Sequence, residues 1–407
     1  MSREAHYVGI DVGTTEVRCV IGRASSEGSH LAEVVSIGVA KNTGVKKGIL
    51  ANKSDVESAI KEAVDEASRL SGLKVRSATV NVNGAHIKSV RSKGVVAVSG
   101  PKGVVSDNDR DRAEDAAVKR LKVPANMDVF QLYPRSYKVG DQAGVKDPVG
   151  VKGERLEVDA LMVAGSVNYL SRVETVFEGT NIEINDKLLS SLAAAEAVLD
   201  KQVREQGCVV VDMGASTTNV LVMEDGEIVS MQVIPIGGQN ITHDLAIGLK
   251  VSASDAEFIK KEYVDLSRPI KLGVRRDNFG GGDVEFSFED VYTIVDARVA
   301  ELGAIINDII ETSGLSGRLV GGAVLTGGGS RLLGMDAAIG KALDIKARVG
   351  SLVDMTGQVM SINRPQYTVA TGLMITDMLG GGSSSRLIFS RISSGAKMLG
   401  RFTNRGR

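Results

Sequence analysis

The sequence predicts an α/β protein of two related domains, because one hairpin design occurs twice and a glycine turn follows it. Apolar strands that carry an aspartate just before a glycine turn occur in residues 7–22 and again in residues 208–222. A third apolar strand, residues 323–326, runs into three glycines. A single loop of this kind is explained equally well by an ordinary hairpin turn, but two copies half a chain apart indicate duplicated domains. At 407 residues the chain is long enough for two or more domains with separate cores.

The total charge is balanced, whereas its distribution is not. There are 49 Lys and Arg against 50 Asp and Glu, a net charge of -1. This gives no sign of a globally basic nucleic-acid binder, and the 4% aromatic content without Trp disfavours stacking on single strands. After Asp377 only basic charges follow, so an acidic body precedes a wholly basic tail.

Cysteine use and the N-terminus predict a cytoplasmic location. Cys19 and Cys208 are too few for a disulfide framework or a metal cluster, and both lie in apolar, strand-like runs. We interpret them as buried thiols in a reducing compartment. Residues 1–7 are polar and no apolar run reaches the length of a membrane span, so we expect neither a signal peptide nor a transmembrane helix.

Each hairpin loop has the chemistry of a phosphate cradle. Gly13 and Gly214 allow backbone amides to approach an anion, and neighbouring hydroxyls add donors without a Walker lysine. Asp11 and Asp212, at the strand ends, are predicted to hold a hydrated Mg²⁺, which prefers carboxylate oxygen. The hydroxyl residues are Thr14 and Thr15 in the first loop, and Ser216, Thr217 and Thr218 in the second.

The later glycine turn completes a nucleotide site. Gly327, Gly328 and Gly329 would present a flat wall to a nucleoside where a helix starts. Such turns are common on their own, but its position behind two phosphate loops predicts an adenosine pocket.

These three motifs resemble the actin/Hsp70/sugar kinase superfamily, whose two related domains close on ATP. Two further stretches, residues 44–48 (GVKKG) and 145–158 (VKDPVGVKGERLEV), are similar to segments typical of FtsA, the bacterial actin-like cell division family. The resemblance runs from about Tyr7 to the C-terminus. It implies an actin-like two-domain ATPase fold with an inserted 1C (SHS2) subdomain and a C-terminal amphipathic helix.

The resemblance and the residue patterns together predict the domain limits. They are 1–83 and 162–205 for subdomain 1A, 84–161 for 1C, 206–241 and 311–379 for 2A, 242–310 for 2B, 380–385 for a linker, and 386–407 for a membrane-targeting helix.

The insertion reads as strands at 88–98, 128–139 and 155–164 around a helix at 107–121 that Ser106 caps. It contains no catalytic constellation, so we expect an interaction module. By resemblance it would contact the next subunit of a filament and later divisome membrane proteins. Its helix carboxylates are expected to form a solvated face: Asp109, Asp111, Glu114 and Asp115.

The second domain carries two further predicted contacts. On a helix at 254–262, Glu257 and Lys260 lie one turn apart and would reach the ribose and adenine, with a solvated surface pair as the alternative. Gly238 matches the family's glycine pair near the phosphates. Arg298 and Glu301, on a long helix at 288–310, are our candidates for the contact with the acidic C-terminal peptide of FtsZ, with an ordinary surface arginine as the alternative.

ATP turnover is expected to be weak or absent. In hydrolytic relatives such as MreB, a glutamate that positions the attacking water precedes an alanine-rich helix start. Here the stretch reads LSSLAAAE, so serine stands at that position and Glu196 comes nearly two turns too late. ATP with Mg²⁺ would then act mainly as a clamp between the domains.

The tail has the pattern of an amphipathic membrane helix behind a Gly/Ser linker. FtsA proteins characteristically end in such a helix; a disordered tail or a helix that docks on protein are the alternatives. The apolar stripe comprises Ile388, Phe389, Ile392, Ala396, Leu399 and Phe402, and the basic residues are Arg386, Arg391, Lys397, Arg401, Arg405 and Arg407.

The sequence thus predicts an ATP-binding cell division protein that polymerises on the cytoplasmic face of the inner membrane at the septum and tethers FtsZ there. One alternative is a PilM-like pilus-assembly homologue, although the basic tail argues against it. Another is an ATP-dependent kinase or chaperone of the same superfamily. A chaperone would need a second, substrate-binding domain, for which the residues after Asp377 leave no room.

Overall fold

A computed structural model describes residues 5–25, 28–46, 48–268, 272–278, 283–357 and 362–380. The strands are β1 (Tyr7–Val12), β2 (Glu16–Ser25), β3 (Gly28–Lys41), β4 (Val45–Lys46), β5 (Ile49–Leu50), β6 (Ser77–Val82), β7 (Lys88–Ala97), β8 (Met127–Val139), β9 (Gln142–Val145), β10 (Arg155–Ser166), β11 (Glu183–Leu189), β12 (Cys208–Met213), β13 (Thr218–Glu224), β14 (Glu227–Ile234), β15 (Val274–Asn278), β16 (Asp283–Ser287), β17 (Ala323–Thr326), β18 (Ala347–Val349) and β19 (Met355–Gly357). The α-helices are α1 (Lys53–Ser71), α2 (Asp107–Arg120), α3 (Val167–Glu178), α4 (Ser190–Val198), α5 (Lys201–Glu205), α6 (Gly238–Leu249), α7 (Ala253–Tyr263), α8 (Phe288–Ser313), α9 (Met335–Leu343) and α10 (Thr368–Gly380). Short 3₁₀ helices span Pro101–Gly103, Gly328–Arg331 and Pro365–Tyr367.

Two sheets carry the two predicted hairpins. The first has the order β11-β6-β1-β2-β3-β19, and the second begins β18-β17-β12-β13-β14. In each, an antiparallel hairpin lies beside a strand that runs parallel to its first member, β6 for β1 and β17 for β12. The repeat read from the sequence is therefore a structural repeat, and the prediction of two related halves is confirmed.

Hydrophobic burial explains why the hairpins form where they do. Every residue of β12 is buried, because this central strand is covered on both faces. In the first half, α1 lays its buried stripe against β2 and β3. Gly38 of β3 permits this approach, because a Cβ there would lie 1.8 Å from the Ala63 carbonyl oxygen.

Helices α4 and α10 pack against each other and join the two halves. All nine residues of α4 are buried, as expected for a helix enclosed by protein. Its Leu192 shares a core with Leu221 of the second sheet and Leu373 of α10. The contact between the helices needs a glycine at position 372, where a Cβ would lie 1.6 Å from the Ala193 carbonyl oxygen.

The inserted module follows the predicted order of strand, helix, strand and strand. Strands β7, β8 and β10 and helix α2 occur within a few residues of their predicted limits, and Ser106 caps α2. The short strand β9, which forms a hairpin with β8, was not predicted. The module's sheet, β7-β10-β8-β9, is joined to β14 of the second sheet through one pair, Lys88 and Gln232.

The expectation that the carboxylates of α2 form a solvated face is wrong for Asp109. Its side chain is fully buried and accepts hydrogen bonds from the backbone and hydroxyl groups of Ser99 and Ser106, with Arg112 at 2.8 Å. Although burial opposes ionisation, these hydrogen bonds lower the pKa of Asp109 well below its usual range. Asp109 therefore closes a capping box that fixes the start of α2 to the preceding loop.

Helices α6 to α9 cover the second sheet. Helix α8 buries the predicted stripe, which includes Val291, Val299 and Ile306, and ends at Gly314 in the left-handed conformation. Cys19 and Cys208 are buried and unpaired as predicted, and burial raises the pKa of each thiol to about 12. Within the described ranges, no helix is both long and apolar enough to cross a membrane.

Replacing Gly372 by Val should separate α10 from α4, because the new side chain would overlap the Ala193 carbonyl. We expect a loss of about 3 kcal/mol or more in the free energy of unfolding, measured by denaturant titration. The matched control is Gly380→Val in the same helix, where a Cβ meets no atom within 4 Å. Equal stability of the two variants would contradict this account of the α4–α10 contact.

Candidate functional site

Asp11 and Asp212 end the first strands of the two hairpins and are both buried, with 7% and 5% of their surface exposed. Burial raises the pKa of Asp11 to about 6, against the opposing charge of Arg18. Burial, and next the negative charge of Asp11, raise the pKa of Asp212 to about 7. The negative charge of Asp11 in the first half thus acts on Asp212 in the second half.

Asp11 is held by polar groups of its own half. The Asn81 side-chain amide donates to its Oδ1 at 2.7 Å and also to the Ser190 hydroxyl at 3.2 Å. The Arg18 guanidinium lies 3.7 Å from the other carboxylate oxygen. The carboxylate therefore has one firm hydrogen bond and one loosely held counter-charge, which leaves it short of the partners that a buried anion needs.

Asp212 is held still more loosely. It accepts a hydrogen bond from Asn219 at 3.2 Å, the residue opposite it in the hairpin, and a long one from Thr326 at 3.4 Å. Gly327, with φ +78°, brings the third strand's turn against this carboxylate, since a Cβ there would lie 2.6 Å from Oδ1. The glycine turn is thus built directly onto the second phosphate loop.

The two hairpin turns close in the same way. The Gly13 amide donates to the Glu16 carbonyl at 3.0 Å, and the Gly214 amide donates to the Thr217 carbonyl at 2.8 Å. These two amides are therefore engaged within their own turns. In the first loop, Thr14 is half-buried and Thr15 is exposed.

The three hydroxyl groups of the second loop form hydrogen bonds with three different neighbours. Ser216 donates to the Gln239 side chain, and Thr217 accepts from Asn83 of the first half at 3.1 Å. Thr218 is fully buried and donates to the Ile236 carbonyl, which ties the hairpin to the segment between β14 and α6. Asn83 and Thr217 thus form a direct hydrogen bond between the two halves.

The glycine turn provides an open wall. A Cβ on Gly328 would meet no atom within 4 Å, whereas one on Gly329 would lie 3.0 Å from Met213 of β12. A helix does start at these glycines, as expected, but it is a short 3₁₀ helix. The turn leads into the 3₁₀ helix Gly328–Arg331, and α9 begins only at Met335.

Lys260 and Glu257 are joined to the glycine pair. The Lys260 ammonium donates to the Gly238 carbonyl at 3.0 Å, to Thr242 at 2.8 Å and to Glu257 at 2.5 Å. Its side chain is only 12% exposed, which disfavours a solvated surface pair. Burial opposes the charge of both groups, but hydrogen bonds from Lys260 and Thr242 lower the pKa of Glu257.

The structure therefore gathers the predicted loop residues into one place. A Cβ placed on Gly238 would lie 3.8 Å from the Gly214 carbonyl oxygen, 3.8 Å from the Lys260 ammonium and 4.0 Å from the Gly329 Cα. The second hairpin turn, the glycine pair, the glycine turn at 327–329 and the α7 side chains thus adjoin one another around Gly238. The first half reaches them through Asn83, which donates to Thr217.

Arg298 and Glu301 lie elsewhere, on α8. The Arg298 guanidinium is held by both oxygens of Asp244, at 2.6 and 3.0 Å, and by Glu301. Its side chain is 24% exposed, so this arginine belongs to a charge network that crosses from α8 to α6. The predicted membrane residues 386–407 lie outside the described residues, as do linker residues 381–385; Gly380 ends α10.

At the position expected to activate water, the structure has Ser190, which is buried and hydrogen-bonded to Asn81. Glu196 is occupied elsewhere, in a buried pair with Arg204 at 2.9 and 3.2 Å. Ser190 is not a carboxylate, and the Glu196 carboxylate is bound to Arg204. Neither residue therefore supplies a base beside the two aspartates.

Sequence reasoning missed several contributors: Arg18, Asn81, Asn83, Thr242 and Thr326. A signal existed for the asparagines, which stand at the carboxyl end of β6. Because β6 is parallel to β1, its carboxyl end lies at the same sheet edge as Asp11.

The residues fit Mg²⁺ and a nucleotide. The described residues contain no group of three or more His, Cys, Asp or Glu that would enclose a metal by themselves. Two under-coordinated buried carboxylates match Mg²⁺, which binds through one or two carboxylates, retained waters and substrate phosphates. The open wall at Gly328 leaves space for a nucleoside.

Comparison with known proteins places the chain in a family. The family model for cell division protein FtsA matches residues 209–372, and that for the SHS2 domain inserted in FtsA matches residues 84–164. The chain is 31% identical to the cell division protein FtsA of Pseudomonas aeruginosa over 372 residues, covering 90% of this chain and 88% of the relative. The chain belongs to the FtsA family. The FtsA of Bacillus subtilis is 30% identical, over 92% of this chain and 84% of that protein.

Solved structures give this FtsA family member an actin-like fold. It is similar to a structure of the PilM–PilN type IV pilus biogenesis complex, with a TM-score of 0.66 and 14% identity over 92% of this chain and 99% of that chain. MreB5 of Spiroplasma citri bound to ADP has a TM-score of 0.53 and 13% identity over 98% of both chains. At such identities the likeness concerns the fold alone. The predicted resemblance to the actin-like cell division family is thereby confirmed.

The raised pKa values predict how stability depends on pH. Below pH 7 the folded protein binds protons at Asp212 and Asp11 that the unfolded chain has released above about pH 4. The stability contributed by these protons is lost progressively as the pH rises from about 4 to about 6 at Asp11 and about 7 at Asp212. Asp212→Asn should therefore raise the thermal midpoint of nucleotide-free protein at about pH 8 and leave it nearly unchanged at about pH 3, below the pKa of the carboxyl in the unfolded chain.

The control for this measurement is Asp308→Asn, an exposed position on α8. It removes the same charge without touching the cleft. If both variants shift the midpoint equally at the two pH values, the burial of Asp212 is not the cause.

Gly328→Leu should fill the nucleoside wall and weaken ATP binding by about tenfold or more, measured by calorimetry. Because a Cβ at this position meets no atom within 4 Å, the thermal midpoint without nucleotide should stay unchanged. Gly380→Leu serves as the control for an open glycine outside the site. Undiminished affinity in Gly328→Leu would show that the adenosine wall is elsewhere.

Proposed function

We propose that this FtsA family protein is an ATP-clamped adaptor that polymerises on the cytoplasmic face of the inner membrane and tethers FtsZ filaments there. The observation that supports it most is the pair of buried, under-coordinated carboxylates, Asp11 and Asp212, one from each half. A site of this kind favours a cation and phosphates that bridge the halves, so nucleotide binding would stabilise the closed form.

The chain's residues have distinct roles in this site. Asp11 and Asp212 would hold Mg²⁺, which neutralises phosphate charge when bound. The loops at Gly13 and Gly214 and the Gly237–Gly238 pair would surround the phosphates, while Gly328 would lie against the nucleoside. Lys260, already 3.0 Å from the Gly238 carbonyl, would add a positive charge beside the same loops.

Hydrolysis is proposed to be slow or absent. Water activation calls for a positioned base with an appropriate pKa. Ser190 is a poor base near neutral pH, and its hydroxyl accepts from Asn81. Glu196 is neutralised by Arg204. The nucleotide would thus act by holding the halves together, and polymerisation would follow from nucleotide binding.

The membrane contact is proposed from the sequence of residues 386–407. An apolar stripe with exclusively basic charges around it favours the surface of an anionic bilayer, where each basic residue contributes about 1 kcal/mol. One such tail binds weakly and reversibly, whereas a filament that presents many tails binds by avidity. The protein would therefore be a peripheral membrane protein whose attachment depends on assembly.

The contact with FtsZ is proposed for the 2B region, at Arg298 and Glu301. Arg298 is oriented by Asp244, so its position is fixed before a partner arrives. An acidic peptide would have to share a guanidinium that two carboxylates already hold. The inserted module, by the same family resemblance, would contact the next subunit and later division proteins.

A PilM-like role is the second candidate, favoured by the TM-score of 0.66 to the PilM–PilN complex. That likeness is one of fold, whereas the curated relatives of the chain near 30% identity are cell division proteins. We therefore prefer the cell division role.

Deleting residues 386–407 should abolish sedimentation with liposomes of phosphatidylglycerol and phosphatidylcholine and leave ATP affinity unchanged. The full chain, with ATP and these liposomes, should carry purified FtsZ into the pellet, and omission of any one component should leave FtsZ in solution. Unchanged sedimentation of the truncated chain would overturn the anchor. Pelleting of FtsZ without this protein would overturn the tether.

A further inference from the structure

Strand β7 of the inserted module has one open edge in the described part of the chain. On one side it pairs with β10 from Lys88 to Ala97. On the other side β14 pairs with it at Lys88 and stays beside it as far as Arg91, whose guanidinium donates to the Val229 carbonyl at 3.4 Å, so the unpaired part of the edge lies beyond Arg91. Just beyond the Lys88 pair, a side-chain hydrogen bond takes the place of backbone pairing between the strands. The Ser89 hydroxyl donates to the Met231 carbonyl at 2.5 Å. A strand edge of this kind presents unpaired backbone N–H and C=O groups to an incoming chain.

A basic groove includes residues of β7 itself. It has a volume of about 530 Å³ and is lined by residues 91–93 of β7, residues 120–122 at and just after the end of α2, and Asp159 of the neighbouring strand β10. Asp159 is the acidic residue among those that line it, and Arg135 lies 3.8 Å from its carboxylate. The four cations of the lining are Arg91, Lys93, Arg120 and Lys122.

The outer face of β7 adds apolar contacts to this charge. Ser92 and Gly94 are buried against α2, so the residues between and beyond them face the other way. Val95, on that outer face, is 37% exposed. Val90 is 39% exposed, but it shares the face of Ser92 and Gly94. Isolated charges on an edge strand repel other strands. Here four cations from two elements line one groove against a single carboxylate, which gives the groove a predominantly positive potential.

We propose that the open edge of β7 and the basic groove beside it dock an extended acidic peptide of a partner protein, which adds to the module's sheet as a strand. Backbone hydrogen bonds to β7 would supply the strand geometry, and carboxylates that alternate with apolar residues would meet the cations and Val95. A membrane surface would use the charge but not the backbone groups. The inference deepens the proposed role of the module as an interaction surface by naming the chemistry of the partner.

The test is calorimetric titration of the full-length protein with a synthetic peptide of alternating Glu and Val, as long as β7. A second peptide carries Pro in place of each Val, which keeps the charge but removes the capacity to form a strand. We expect the Glu-Val peptide to bind in the micromolar range, with affinity that falls as salt rises, and the Glu-Pro peptide to bind at least about tenfold more weakly.

The protein variants separate this groove from general charge. Arg120→Glu combined with Lys122→Glu should weaken the Glu-Val peptide by at least about tenfold. The control, Lys102→Glu with Lys152→Glu, makes the same charge change at exposed positions of the module that do not line the groove, and should retain binding. Both pairs should leave the thermal midpoint and the ATP affinity unaltered.

Three results would overturn the proposal. They are equal binding of the two peptides, equal weakening by the two variant pairs, and no binding of the Glu-Val peptide. The first would leave only non-specific charge attraction, the second would place the site elsewhere, and the third would exclude an acidic strand as the occupant of this edge. None of these outcomes depends on whether the tail or α8 performs its proposed function.

Discussion

Two buried carboxylates, one from each half of the chain, are the constraint on which the rest of this structure depends. Asp11 and Asp212 occupy equivalent places in two related hairpins, and burial with mutual repulsion keeps the pKa of Asp212 near 7. Folding must therefore hold together two halves that each bring a buried acidic group towards the other. The helices α4 and α10 do this by shape, through contacts that leave no room for a Cβ at Gly372. Asn83, just after β6, does it by a hydrogen bond to Thr217 of the other half.

The same constraint supports the proposed nucleotide site. A cation that bound both aspartates would remove their repulsion, and the neighbouring loops carry glycines that would admit phosphates. Lys260 and the open position at Gly328 extend this surface away from the carboxylates. Because Ser190 is not a carboxylate and Glu196 is paired with Arg204, the arrangement would favour retention of a bound nucleotide over its turnover.

Much of this was predictable from the sequence because the decisive signals are local. The hairpins, the glycine turn, the stripe of α8 and the strands of the inserted module follow from residue periodicity and turn chemistry. Contacts between segments distant in sequence were not predictable in this way. Asp109 reads as one more charge on a polar helix, yet the loop at Ser99 folds back over it and buries it. Asn83 reads as a turn residue, yet its partner Thr217 comes from the other half of the chain. The pair formed by Lys88 and Gln232 likewise joins the inserted module to a sheet that no local pattern identifies.

The most direct test is a double-mutant cycle on the free energy of unfolding, with Asp11→Asn, Asp212→Asn and the double variant at about pH 8. Without nucleotide, each single change should stabilise the protein, and the double variant should gain less than the sum, because either change alone removes the repulsion. With saturating Mg²⁺ and ATP, each single change should instead destabilise the complex relative to the unchanged protein. Strictly additive effects in the absence of nucleotide, or no reversal of sign in its presence, would contradict the claim that these two aspartates form one cation site between the halves.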